Sequence, residues 1–215
     1  MSTPDILLQN RLVVIARGLE ERQVIPVAQA LVDAGVGCLE ITFDHSSPDG
    51  KDRTLQSLSI LAERFSDRLC VGAGTVLTCE EVSLAAQSGA KYIISPNTNA
   101  DVIRETKRLG LISVPGAMTP TECLDAMRFG ADMVKLFPAG CLGISYFKAL
   151  REPLKHIPFL VAAGITLENL PQYKACGAAA FGISSSILKP DLLKAECYDG
   201  IKNAARLYVN ACKDQ

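Results

Sequence analysis

The chain has 215 residues, 48% of them hydrophobic, with Lys+Arg 22 against Asp+Glu 23 and a formal net charge of -1. That length predicts one domain over residues 1–215, with a core large enough to need neither disulfides nor a structural metal. Balanced charge and the lack of a long apolar run exclude nucleic-acid backbones and membranes as expected partners.

The cysteines, at 38, 70, 79, 123, 141, 176, 197 and 212, show neither zinc-finger nor CxxC spacing, so reduced thiols are expected. Met1 to Asn10 lacks a basic n-region and a long apolar h-region, and the expected location is the cytoplasm.

In chain order, the first apolar run is Leu12 to Ala16, followed by a helix-compatible stretch over 21–34. From there one pattern recurs: a helical segment ends at a small residue plus Gly, and a short apolar run follows. Gly35 precedes Cys38 to Phe43, Gly89 precedes Tyr92 to Ser95, Gly110 precedes Ile112 to Pro115, Gly130 precedes Met133 to Phe137, and Gly177 precedes Ala180 to Ile183. Two further runs lack the glycine, Leu69 to Val71 and Phe159 to Val161. The remaining helices are expected near 53–65, 79–88, 99–108, 119–129, 143–151, 167–175 and 190–211. Thr119-Pro120-Thr121-Glu122 and Thr78 with Glu81 mark two helix starts, and Asp44 to Asp52 is expected to be a long loop.

A glycine past a helix end supplies the left-handed conformation that terminates it, and short apolar runs suit strands buried on both faces. Eight strand and helix units in strict alternation predict an α/β fold, a single (βα)8 TIM barrel, with a doubly wound sheet as runner-up.

In such a barrel the chemistry sits at the C-terminal ends of the strands. Alternation turns Leu39, Ile41 and Phe43 toward the helices and Cys38, Glu40 and Thr42 into the barrel. The same rule turns Met133, Lys135 and Phe137 inward. A buried lysine sheds its proton and becomes a nucleophile. The bland alternatives are a structural ion pair with Glu40 or a lysine that snorkels through the mouth.

Arg17, which closes the first run, is a cation for a carboxylate or phosphate or else a plain surface arginine. Gly72 to Thr75, Ser95 to Thr98, Pro115-Gly116, Ala163-Gly164 and Ser184-Ser185-Ser186 stand at the other strand ends. Singly they are ordinary turn chemistry; together they suit an anion cradle. His45 and His156 support neither a triad nor a metal site.

At these residues the sequence resembles the Schiff-base aldolases of 2-keto-3-deoxy-6-phosphogluconate, its galactonate epimer and 4-hydroxy-2-oxoglutarate. The resemblance rests on Leu39-Glu40-Ile41-Thr42, Val71-Gly72-Ala73-Gly74-Thr75-Val76, Ile94-Ser95-Pro96, Val114-Pro115-Gly116 and Val134-Lys135-Leu136-Phe137-Pro138-Ala139. It implies a class I, pyruvate-forming carbon–carbon lyase on a homotrimeric barrel with no cofactor and no metal, acting on a small 2-keto acid. By the same resemblance Lys135 forms the iminium and Glu40 is the general acid/base. Thr75, Pro96, Pro115 and Gly116 hold the pyruvate end, and Phe137 walls the pocket. Arg17, Gly164 and Ser186 face the distal end, and Ala162, Ser184 and Ser185 are further expected substrate-binding positions.

Three departures from the family pattern matter. Asp44 stands where members carry an arginine for the substrate carboxylate, and Arg53, with Lys51 in reserve, is the expected replacement from the longer loop. Ala162-Ala163-Gly164 replaces Thr-Gly-Gly, and serines replace glycines at 184 and 185. A phosphosugar isomerase or epimerase on the same barrel, or a keto-acid binder with lapsed catalysis, are the alternative readings.

Overall fold

The computed structural model describes residues 5–213, so both ends of the expected 1–215 domain lie outside the described residues. Nine strands carry the sheet: β1 Leu12–Ala16, β2 Cys38–Thr42, β3 Cys70–Gly74, β4 Tyr92–Ile94, β5 Ile112–Val114, β6 Gly116–Ala117, β7 Val134–Leu136, β8 Phe159–Ala162 and β9 Ala180–Ile183. Between and around them run α1 Asp5–Asn10, α2 Glu21–Asp33, α3 Gly50–Phe65, α4 Cys79–Gln87, α5 Ala100–Arg108, α6 Pro120–Phe129, α7 Ala139–Arg151, α8 Leu170–Ala175, α9 Pro190–Lys194 and α10 Tyr198–Cys212.

Local sequence sets these boundaries. Thr78 and Thr119 each accept from the backbone N–H three residues on, while Glu81 and Glu122 return the bond to the cap. Such a box is worth about 1 kcal/mol at a helix start. At the other end Gly130 closes α6 with φ 107°, and all five helix-ending glycines read from the sequence have positive φ.

Every ladder is parallel, in the order β5-β4-β3-β2-β1-β9-β8-β7-β6. The two ends of that order, β5 and β6, are separated only by Pro115, so they are the lower and upper halves of one stave. Proline has no N–H to give, but its carbonyl accepts from Lys135 at 2.8 Å, and Ala117 accepts from Phe137 at 3.3 Å. The eight expected strands are thus eight staves of a closed (βα)8 barrel.

Alternation splits the core in two. Leu39, Ile41, Phe43, Val134 and Leu136 pack outward against the helices; Cys38, Tyr92, Met133 and Leu160 pack inside the barrel.

Three expectations need correction, and one helix was not expected. The helix expected over 190–211 is two helices, because Glu196 turns the chain at φ 50°. The helix expected from 143 starts at Ala139, with Gly143 (φ 79°) as a kink. The loop expected over Asp44 to Asp52 ends early: α3 begins at Gly50, which carries Lys51, Asp52 and Arg53 into its first turns. Finally α1, too short for a periodic signal, caps the N-terminal end of the barrel, where fully buried Leu7 joins the interior cluster.

Candidate active site

The third strand shapes the C-terminal mouth. Its alternate glycines, Gly72 and Gly74, have no side chain to place in the barrel, and side chains from both neighbouring strands cross over them. Glu40 from β2 lies over Gly74, where an ideal Cβ would stand 1.7 Å from Oε1. Tyr92 from β4 lies over Gly72, where a Cβ would stand 2.2 Å from the ring. Glu40 is fully buried, and neither of its carboxylate oxygens has a hydrogen-bond partner among the described residues.

Lys135 projects from β7 into the same interior and is 4% exposed, with Nζ 5.0 Å from the centre of the Phe137 ring. Burial is the main influence on both groups and moves them toward neutrality. It pushes the Glu40 carboxyl up, opposed by the positive charges of Lys135 and Arg17. It pushes the Lys135 amine down, opposed by Glu40 and assisted by Arg17. The structural ion pair is therefore not what is found: the lysine and the carboxyl share an interior without a hydrogen bond between them.

A cavity of about 410 Å³ opens above Lys135. Of the residues singled out in the sequence, Arg17, Phe137, Ala162, Gly164, Ser184, Ser185 and Ser186 line it. Ser184 is partly spent, since its hydroxyl donates to the Ile15 carbonyl at 2.8 Å. The bend after β8 is tightly seated: Ala163 (φ 68°) and Gly164 (φ 79°) are left-handed, and the Ala163 carbonyl accepts from Gly140 N–H at 2.7 Å. A Cβ on Gly164 would stand 2.8 Å from the Gly140 Cα, so glycine is required there.

Thr75, Pro96, Pro115 and Gly116 are not among the residues lining that cavity; they stand at or just beyond the C-terminal ends of β3, β4 and β5. Gly116 approaches the Pro96 carbonyl so closely that a Cβ would stand 2.3 Å from it. Thr98 ties the two loops with a 2.8 Å bond from its hydroxyl to the Gly116 carbonyl. Thr75 is left-handed at φ 58°, and its carbonyl accepts from His45 Nε2 at 3.0 Å. A carbonyl has no proton to offer, so the hydrogen is on Nε2; Nδ1 then faces Glu81 Oε1 at 3.6 Å.

Arg53 does not enter this cavity. Its guanidinium is held by Asp49 at 2.9 Å and Asp44 at 3.2 Å, beside a separate cleft between β2 and α3. Lys51, the reserve residue, is held by Glu80 at 2.6 Å. Asp44 itself is acidified, first by hydrogen bonds from Ser46 and then by Arg53. The longer loop thus folds onto its own charges. Sequence reasoning passed over His45, for want of triad partners, and Tyr92; the alternate glycines 72 and 74 were the available signal for what crosses that strand.

The family model for KDPG and KHG aldolase matches residues 4–204. The chain belongs to that family. It is 34% identical over 179 residues to the 2-dehydro-3-deoxy-6-phosphogalactonate aldolase of Escherichia coli K12, covering 83% of this chain and 84% of the relative. It is also 34% identical to the 2-dehydro-3-deoxy-phosphogluconate aldolase of Treponema pallidum, over 78% of this chain and 80% of the other. Among solved structures, a native KDPGal structure superposes with a TM-score of 0.83 at 30% identity over 93% of each chain. The protein is an aldolase, a carbon–carbon lyase of the pyruvate-forming class I type. No helix among the described residues is long and apolar enough to cross a membrane.

Proposed function

We propose that the chain, as one domain over residues 1–215, cleaves a 2-keto-3-deoxy-6-phospho sugar acid of the galactonate or gluconate type to pyruvate and an aldehyde. The observation that carries this reading is the pair of opposed groups buried in one interior: the Lys135 amine, which burial pushes down, and the Glu40 carboxyl, which burial pushes up.

In this reading the free Lys135 amine attacks the C2 carbonyl to give a carbinolamine. Glu40 donates its proton to the departing hydroxyl, water leaves and the iminium forms. The Glu40 carboxylate, directly or through water, then takes the C4 hydroxyl proton. The C3–C4 bond breaks, its electron pair flows into the iminium, and the aldehyde departs from an enamine. Protonation of C3 from Glu40 gives the pyruvate iminium, and hydrolysis frees pyruvate and Lys135.

Thr75, Pro96, Pro115 and Gly116 hold the pyruvate end, and Phe137 stacks beside the reacting carbons. Arg17, with Gly164, Ser185 and Ser186, takes the distal anion. Ala162, where the family pattern has a threonine, leaves the C4 configuration without a hydroxyl reader and favours tolerance of both epimers. A cytoplasmic homotrimer is the assembly that goes with this reading, and exposed Met118 and Leu124, each 43% accessible, are apolar surface available to it; sedimentation equilibrium measures it.

The test is borohydride reduction in the presence of pyruvate, followed by intact mass and peptide mapping. A pyruvate-sized adduct on Lys135, absent from Lys135→Ala, is expected. No adduct at saturating pyruvate overturns the assignment of the imine to Lys135.

A further inference from the structure

Three buried side-chain polar atoms lack a hydrogen-bond partner among the described residues: Oε1 and Oε2 of Glu40 and the Tyr92 hydroxyl. They belong to one place. The strand register puts Glu40 opposite Gly72 and Gly72 opposite Tyr92, a single row across three neighbouring strands. Glu40 occupies the seat over Gly74 and the Tyr92 ring the adjacent seat over Gly72, so the phenol forms the layer next to the carboxyl.

Phenylalanine would fill the seat over Gly72 with the same ring and no polar atom to desolvate, so the hydroxyl calls for a use. Burial drives the phenol's own ionisation well above its ordinary range, with the negative ends of Cys38, Cys70 and Glu40 adding to the effect. The hydroxyl therefore keeps its proton and acts as a dipole that can turn. Around it, Lys135 and Arg17 face Glu40, while Cys38 and Cys70 face the phenol from β2 and β3.

We propose that Tyr92 is a positioning residue for proton transfer at Glu40. The hydroxyl makes no direct hydrogen bond to the carboxyl, and acts through its dipole, which turns its positive end toward Glu40 when the carboxylate has given up its proton. This inference rests on the reading of Glu40 as the general acid/base.

The experiment follows exchange of the pyruvate methyl protons with solvent deuterium against pH, in the intact enzyme, Glu40→Gln and Tyr92→Phe. Glu40→Gln is expected to abolish exchange. Tyr92→Phe keeps the ring and loses only the dipole that favours the carboxylate, so the acidic limb of the profile is expected to move up by about half a pH unit, about a threefold loss of rate on that limb. The pH dependence of borohydride trapping, which reports Lys135, is expected to stay in place. If Glu40→Gln still exchanges, both readings fall. If it does not, and the Tyr92→Phe limb superimposes on that of the intact enzyme, only the role of Tyr92 falls.

Discussion

Glu40 owes its position to Gly74: the carboxyl lies where a side chain on that residue would otherwise be, with Oε1 1.7 Å and Cγ 2.6 Å from an ideal Cβ. Glycine is needed here for room and not for backbone freedom, since Gly74 is an ordinary β3 residue. Gly74→Ala forces the carboxyl to another rotamer in a packed interior, where overpacking typically costs about 1 to 3 kcal/mol. The fold should survive while pyruvate exchange falls at least about tenfold, because a displaced base loses its reach. Melting temperature and exchange rate, measured together, separate these effects; unchanged exchange would disconnect Glu40 from the chemistry.

The two buried ionisable groups make the site a stability liability with a definite pH signature. Lys135 has its folded value lowered, so the unfolded chain binds the proton more readily and stability falls as pH drops below the ordinary lysine range. Lys135→Met is therefore expected to stabilise by about 1 kcal/mol or more near neutrality, with the gain fading as pH climbs toward 10.5. Glu40 has its folded value raised, so stability falls as pH rises through the window between its unfolded and folded values. Glu40→Gln should then gain most above that window and least in acid. Urea titrations across pH read both slopes; opposite slopes would refute the burial argument.

His45 links the loop after β2 to the left-handed Thr75 at the end of β3, through its 3.0 Å bond to the Thr75 carbonyl. A non-glycine residue at positive φ persists only where its surroundings hold it. An exposed hydrogen bond of this kind is worth about 0.5 to 1.5 kcal/mol. His45→Ala is accordingly expected to raise KM for substrate by about two- to tenfold, with kcat nearly unchanged. Steady-state kinetics checks this, and a loss confined to kcat would assign the histidine a different role.

Much of this architecture was legible because each helix-ending glycine before a short apolar run is a local event. Gly35, Gly89, Gly110, Gly130 and Gly177 announce strands without reference to the rest of the chain. The inward facing of Glu40 and Lys135 followed from period-two alternation against the helix-facing residues. What escaped detection depends on neighbours distant in sequence. Pro115 divides a stave because β4 bonds its lower half and β7 its upper half. The chain turns at Glu196 with no glycine to mark the break, and the side chain pairs with Arg22. Arg53 read as a free cation in a loop because a sequence does not show that α3 starts at Gly50 and hands the guanidinium to two aspartates.

That placement divides the two arginines. Arg17 lines the cavity above Lys135, and its charge already depresses both Lys135 and Glu40. Arg53 is neutralised by Asp44 and Asp49 outside that cavity. A charged hydrogen bond to a substrate anion contributes about 1.5 to 3 kcal/mol, so Arg17→Ala should lower kcat/KM by about ten- to a hundredfold on a phosphorylated substrate. Losing that positive neighbour also lets the Lys135 amine hold its proton more tightly, so the pH profile of borohydride trapping should move to higher pH. Arg53→Ala should change neither quantity by more than about twofold, as expected for an exposed ion pair. The reverse pattern, with pyruvate affinity lost in Arg53→Ala and retained in Arg17→Ala, would mean that substrate draws Arg53 away from its aspartates and into the position vacated at Asp44.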